Sequence, residues 1–253
     1  MRTLSETRLI FTRAMRLSLR NPIWVILGLI QPIIYLVMFG PLLENMTAVR
    51  GWPGGDAWQV FVPGLLVQLG IFGAAFVGFG LIGEMRAGVV ERMRVTPASR
   101  AALLMGRVLR DVVVLLVQAV ILIGCAMFFG LDAPFLGLVL GLLVVGLLGA
   151  AFSSASNAAA LLLKSEDALA PLVNGLAVPL LLLSGILLPM SLAPGWLEAI
   201  SDANPVKHVV DGVRALFLEG AVTMTVVWGV VAALGLVAAG LVLGTRTFER
   251  ESG

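Results

Sequence analysis

Between Gly83 and Arg100 the chain reads GEMRAGVVERMRVTPASR, and its charged side chains suit ion pairing with another protein surface better than turnover of a substrate. At 100° per residue Glu84, Ala87, Glu91 and Arg94 share one helical face, while Met85, Val89, Val90 and Met93 share another that Arg86 interrupts. Thr96-Pro97 is a capping hydroxyl followed by proline at a first helical position. The segment therefore predicts one helix ending near Val95 and a second starting at Pro97. Such a helix can dock a soluble partner through its charged face while its apolar anchors stay packed on a bundle. A solvated loop with local ion pairs accounts for the same charges.

Catalytic groups are sparse. A phosphate-cradling loop needs Gly directly before Lys, but the two lysines, Lys164 and Lys207, follow Leu163 and Val206, so no nucleotide site of this kind is expected in the chain and no cofactor of its own. His208 is the only histidine and Cys125 the only cysteine, which leaves no His-based metal cluster, no Ser-His pairing within the membrane and no internal disulfide. They read as a surface histidine and a buried small apolar residue. Asp111, beside Arg110, is nearly the only ionisable side chain inside an apolar run. Proton-coupled antiport and membrane-embedded metal-dependent catalysis both lose weight for that reason. What the runs do contain is Gln31, Tyr35, Gln68, Gln118, Asn157, Asn174 and Ser184, which interhelical hydrogen bonding explains as well as substrate contact does.

The elements that would carry these groups follow from composition. With 59% hydrophobic and 13% charged residues and a mean hydropathy of +1.04, the chain reads as an all-α integral membrane protein forming one domain. Six spans are expected: Ile23 to Leu43, Val60 to Ile82, Val108 to Phe129, Phe135 to Leu163, Pro171 to Met190 and Thr223 to Thr245. The fourth exceeds a straight crossing, and its Ser153, Ser154, Ser156 and Asn157 cluster is read as the mark of a bend.

Fourteen of the basic residues fall on one side of these spans, against Arg50, Lys207 and Arg214 on the other, so both termini are expected in the cytoplasm. Residues 1–22 are too basic and too long before the first span for a cleaved signal. Arg2, Arg13, Arg16 and Arg20 fall in a narrow arc opposite Leu4, Phe11, Met15 and Leu19, as in a helix lying along anionic headgroups; a plain topology determinant is the other reading. Opposite the basic side, residues 189–222 read as short re-entrant helices. Pro194-Gly195-Trp196 opens one piece and Asn204-Pro205 caps the next. There Val206, Val209, Val210, Val213, Leu216 and Phe217 form an apolar face, with Lys207, Asp211 and Arg214 on the other face, before Gly220 ends it.

These residues carry a resemblance. The string E-x-x-x-G-x-x-E-R-x-R-x-T-P-x-S-R from Glu84 to Arg100, with Arg20-Asn21-Pro22, Gln31-Pro32, Phe61-Val62-Pro63-Gly64, Asn204-Pro205 and Gly212-Val213-Arg214-Ala215-Leu216, is similar to permease subunits of type-2 ABC exporters, the daunorubicin-resistance permease-like branch. The similarity covers the whole length. It implies two six-helix permeases, as homodimer or heterodimer, over two separate ABC ATPase subunits that bind ATP and Mg, so that this chain is a transport subunit and not an enzyme. The resemblance makes residues 83–106 the coupling loop, seated in the ATPase through Glu84, Gly88, Glu91, Arg92, Arg94, Thr96, Pro97 and Arg100. Lys164, Glu166 and Asp167 would make a smaller contact.

The second and fifth spans would then meet at the dimer interface, and Gln31, Tyr35, Gln68, Phe72, Phe76, Asn174 and Ser184 are the expected substrate-pathway residues. Pro194, Trp196, Asn204, Pro205 and Arg214 would belong to an outer gate. The cargo implied is a hydrophobic or amphipathic drug, antibiotic or lipid, leaving through a bacterial plasma membrane; the Arg-rich, Lys-poor composition points to a high-GC bacterium. Membrane lipids are expected partners and nucleic acid is not. A polysaccharide or glycolipid exporter, a passive channel or scaffold, and a membrane transferase remain as alternatives.

Overall fold

In the computed structural model, which describes residues 2–20, 23–49, 52–89 and 99–250, every regular element among those residues is helical. Helix α1 (Arg2–Arg20) precedes the first span, α2 (Ile23–Glu44). The second span is split into α3 (Ala57–Ala75) and α4 (Val77–Arg86). Then come α5 (Arg100–Phe128), α6 (Phe135–Leu163) and α7 (Glu166–Leu183), two shorter helices, α8 (Gly195–Asp202) and α9 (Pro205–Glu219), and finally α10 (Met224–Arg250). Six stretches are long and apolar enough to cross a bilayer, which makes this a multi-pass membrane protein.

Boundaries depart from expectation where local chemistry is strong. Helix α5 opens two turns before Val108, because the Ser99 hydroxyl caps it by accepting from the Ala102 amide at 3.2 Å. Helix α7 runs from Glu166 to Leu183, not from Pro171 to Met190: both Pro171 and Pro179 are accommodated inside it, and Gly185, with φ of 72°, turns the chain soon after its end. The single helix expected over 83–95 is interrupted. Helix α4 ends at Arg86, and Gly88 adopts the left-handed conformation at φ 65° that closes helix ends. Thr96-Pro97, with the rest of 90–98, lies outside the described residues.

Helix α3 is the centre of the bundle: every residue from Val60 to Ile71 is buried, under α2, α5, α6, α7 and α9. Two-thirds of the second span is enclosed, against about a fifth of the first, fifth and sixth, which turn broad apolar faces outward. The approach is close enough at Gly64 that a Cβ there would overlap the carbonyl oxygen of Ile186, so only glycine fits. At its start α3 carries a capping box, with Asp56 accepting from the Trp58 amide at 2.8 Å and Gln59 accepting from the Asp56 amide at 3.2 Å.

The expected bend lies in a different helix. The fourth span, α6, is one unbroken helix of 29 residues, and the break falls in the second span at Phe76. Ser156 on α6 reaches it, donating its hydroxyl to the Ala75 carbonyl at 2.5 Å and accepting from the Gly78 amide at 2.9 Å. The serine cluster therefore serves a neighbouring helix instead of distorting its own.

Helix α1 packs along α5 at the basic end. Its half-buried side holds Ile10, Phe11, Ala14 and Met15, with Ile10 against Gly106, and the Glu6 carboxylate accepts from the Ser99 amide at 2.9 Å. Arg13, Arg16 and Arg20 are exposed as the arc requires. Leu4 and Leu19, expected opposite them, are exposed as well, at 77% and 72%, because α5 covers only a narrow strip of this helix.

Candidate functional site

At the basic end three helices bring charged side chains together. Arg86, the last residue of α4, places its Nη1 2.9 Å from the Glu166 carboxylate at the start of α7. Two residues earlier, Glu84 accepts from Arg107 of α5. The two pairs differ in setting. Arg86 and Glu166 are about half exposed, where an ion pair contributes under about 1 kcal/mol, whereas Arg107 is 9% exposed and would be left unpaired in a desolvated place without Glu84.

Below Arg107 the polar chain continues inward. Arg110 lies 3.0 Å from Asp111, whose other oxygen accepts from Ser153 at 2.6 Å; Asn157 donates to the Ser153 carbonyl at 2.8 Å. Spacing of four places Arg107 and Asp111 on one face of α5, and both are buried.

The expected coupling residues are thus only partly in view. Glu84 is half-buried and engaged within the chain, Gly88 makes the turn, and Lys164 caps α6 in a left-handed conformation at φ 52°. Glu166 is taken by Arg86, while Asp167 is exposed in the first turn of α7. Glu91, Arg92, Arg94, Thr96 and Pro97 lie outside the described residues, and Arg100 is described for its backbone alone, as the first residue of α5. In the sequence Arg107 and Ser156 have no signal beyond charge placement and the serine cluster, save the i, i+4 spacing of Arg107 to Asp111.

Residues proposed along a pathway separate into two groups. Gln68 and Ser184 are sealed inside the protomer, Gln68 with neither amide atom bonded and Ser184 bonded to the Leu181 carbonyl at 3.1 Å. Phe76 and Asn174 are exposed, and Phe72 stacks on Phe76 at 6.4 Å between ring centroids. Gln31 is exposed on α2 and lies 3.4 Å from the hydroxyl of Tyr35 one turn on. The outward polar and aromatic groups therefore sit on the first span, the fifth and the lower second span.

At the opposite end α9 lies over the bundle, its apolar face of Val206, Val209, Val210, Val213, Leu216 and Phe217 fully buried. Asn204 caps it by accepting from the Val206 amide at 3.0 Å, Pro205 opens it, and Gly220 closes it at φ 64°. Arg214 does the tying: Nε donates to the Val60 carbonyl and Nη2 to the Gly185 carbonyl, each at 3.0 Å, with Asp211 3.3 Å from Nη1. Burial pushes the Asp211 carboxyl above the usual aspartate range, opposed by Arg214, whereas Asp202 is held below it by the hydrogen bond and charge of Lys207. An open cavity of about 420 Å³ lies beside Arg214, walled by Trp52, Pro189, Glu198 and Glu219. Pro194 and Trp196 are exposed on the rim formed by α8. His208 is half-buried, its Nε2 3.0 Å from the Asp202 carbonyl.

Residues 5–218 match the family described as ABC-2 type transporter. The chain is 29% identical to the daunorubicin resistance ABC transporter permease protein DrrB1 of Streptomyces coeruleorubidus, covering 81% of this chain and 72% of that protein. It is likewise 29% identical to a protein named as a transport permease, ycf38, of Cyanophora paradoxa, over 78% of this chain and 69% of the other. A protein of Mycobacterium tuberculosis named as the doxorubicin resistance ABC transporter permease DrrC is 26% identical over 87% and 78% of the two chains.

Proposed function

The chain belongs to the ABC-2 type transporter family, and we propose that it is the membrane-spanning subunit of an ATP-driven exporter whose ATP and Mg are bound by a separate ABC ATPase. The family match over residues 5–218 carries this reading, since it takes in five of the six spans and the charged end. Two copies of the ATPase would seat below two permease chains, with both termini in the cytoplasm of a bacterium and the basic end facing them. The relatives named for daunorubicin and doxorubicin resistance support an amphipathic or hydrophobic drug-like cargo. Arg8, Arg13, Arg16 and Arg20, all exposed on α1, suit anionic headgroups at the same face.

In this reading the Arg86–Glu166 pair joins the loop below the second span to the turn before the fifth, so the two ATPase contacts act as one surface. Closure of the ATPases would pull on that surface and reorient the bundle, and the outward side chains of the first, second and fifth spans would line the path between two permeases. Glu91 and the exposed Asp167 are the carboxylates best suited to test docking, because Glu84 is engaged by Arg107.

The tagged chain purified from its native membranes should bring with it a chain that photolabels with azido-ATP. Glu91→Lys combined with Asp167→Lys should remove that partner while leaving the permease monodisperse. Retention of the partner and of its permease-stimulated ATPase activity in the double variant would defeat the docking assignment.

A further inference from the structure

The break at Phe76 has no proline in it; the nearest, Pro63, lies more than three turns earlier. One established cause of a helix break without proline is a side chain that enters the i to i+4 ladder, and here Ser156 does. In a continuous helix the Gly78 amide would donate to Ala74 and the Phe79 amide to Ala75. Instead Gly78 donates to Ser156 Oγ at 2.9 Å, Phe79 donates to Phe76 at 3.2 Å, and the released Ala75 carbonyl accepts from Ser156 Oγ at 2.5 Å. One hydroxyl thus engages two of the backbone groups that the break sets free, the Gly78 amide and the Ala75 carbonyl, using its donor and an acceptor lone pair.

The fit is specific. A Cβ on Gly78 would lie 2.6 Å from the Ser156 carbonyl oxygen and 2.8 Å from its hydroxyl, so the clasp needs glycine opposite it. Both arrangements of the second span offer partners to the Gly78 amide, the Ala75 carbonyl and the Ser156 hydroxyl. If the ladder closed, the Ser156 hydroxyl could turn to the carbonyl four residues back on α6, as Ser154 already does to Ala150 at 2.7 Å. Neither state strands these three groups, which is what a two-state element inside a bilayer requires.

We propose that Ser156 is a positioning residue for coupling: it holds the second span in its broken form, and opening this clasp lets α4 straighten and carry Glu84 and Arg86 with it. The end of α4 lies about 15 Å along the helix from Phe76, so a modest change of angle at the break moves the charged end by several ångströms. The role in coupling rests on the ABC reading; the two forms of the helix do not.

The test uses the full chain in lipid nanodiscs with Cys125→Ala, and spin labels at Gly83→Cys and Leu162→Cys. Both positions are exposed, and a Cβ at Gly83 meets open space. Pulsed electron spin resonance of the permease alone should show Ser156→Ala shifting the ratio of two distance populations by roughly tenfold. Gly78→Ala, which opposes the same contact from the other side, should shift it in the same direction, and Ser154→Ala should leave it unchanged. Distances in Ser156→Ala and Gly78→Ala that match the parent would overturn the clasp; if Ser156→Ala does not fold, Gly78→Ala alone decides. With the ATPase bound, a non-hydrolysable ATP analogue should move the parent's populations but not those of Ser156→Ala. Populations that ignore nucleotide in the parent would overturn the role in coupling while leaving the clasp standing.

Discussion

Arg86 and Glu166 meet at 2.9 Å across the basic end of the bundle, although 80 positions separate them in sequence. The contact joins the foot of the second span to the head of the fifth. Reversing either charge alone should change thermal stability by less than about 1 kcal/mol, since both side chains are solvent-accessible. Its effect should fall on transport. Arg86→Glu and Glu166→Arg singly should lower ATPase-coupled efflux, and the double exchange should restore it; a double variant no better than the singles would show that the pair does not matter.

Glu84 and Arg107 form the less exposed pair. Arg107→Ala frees Glu84, while Glu84→Gln strands a guanidinium that is 9% exposed, so the second change should be the more damaging, by about 2 kcal/mol after allowing for the partial exposure of Glu84. Comparison of detergent melting midpoints for the two variants checks the order.

Arg214 should be the most sensitive residue of the opposite end. Arg214→Ala leaves the carbonyls of Val60 and Gly185 without their donors and Asp211 without its cation, at a cost of about 3 kcal/mol. Arg214→Lys cannot reach both carbonyls in the same fork and should recover only part of the loss. Amide hydrogen exchange over 205–219 would show whether α9 loosens.

Two aspartates give that helix opposite pH responses. Asp202 has a folded value below the ordinary 3.8, so its contribution is complete above that value and is lost as pH falls through the lower one. Asp211 has a raised folded value, so the folded form is favoured below 3.8 and this advantage disappears as pH rises through the higher one. Asp202→Asn should flatten the acid limb of α9 protection, and Asp211→Asn the limb above it. Hydrogen exchange between about pH 3 and 6 would separate them.

Most of the fold was legible because apolar run length and charge placement are direct readings of bilayer thickness. Asn204-Pro205 and Gly220 bound α9 as local backbone chemistry requires, and its apolar face is the buried one, but Arg214, expected on the charged face, is buried as well because its guanidinium bonds the Val60 and Gly185 carbonyls. What the sequence hid was contact between helices. Ser153 to Asn157 looked like a fault in their own helix, since one-dimensional spacing cannot tell a serine that bends its helix from one that serves a neighbour. Glu84 and Arg107 are 23 positions apart and read as separate topological charges. Gln68 and Ser184 carry both common readings of a polar group in a span, helix contact and path lining, and spacing along the chain cannot show that both are buried within the protomer.

The contact of Gly64 with the Ile186 carbonyl, together with the grip of Arg214 on Val60 and Gly185, makes the upper second span, the segment after the fifth span and α9 a single stiff block. The same second span is interrupted at Phe76 below. One helix is thus rigid along one half and articulated at the other. Mechanical work delivered at its charged foot cannot be absorbed by separating these upper parts from each other. It must displace the block bodily, and any opening on the far side then forms at its outer boundary.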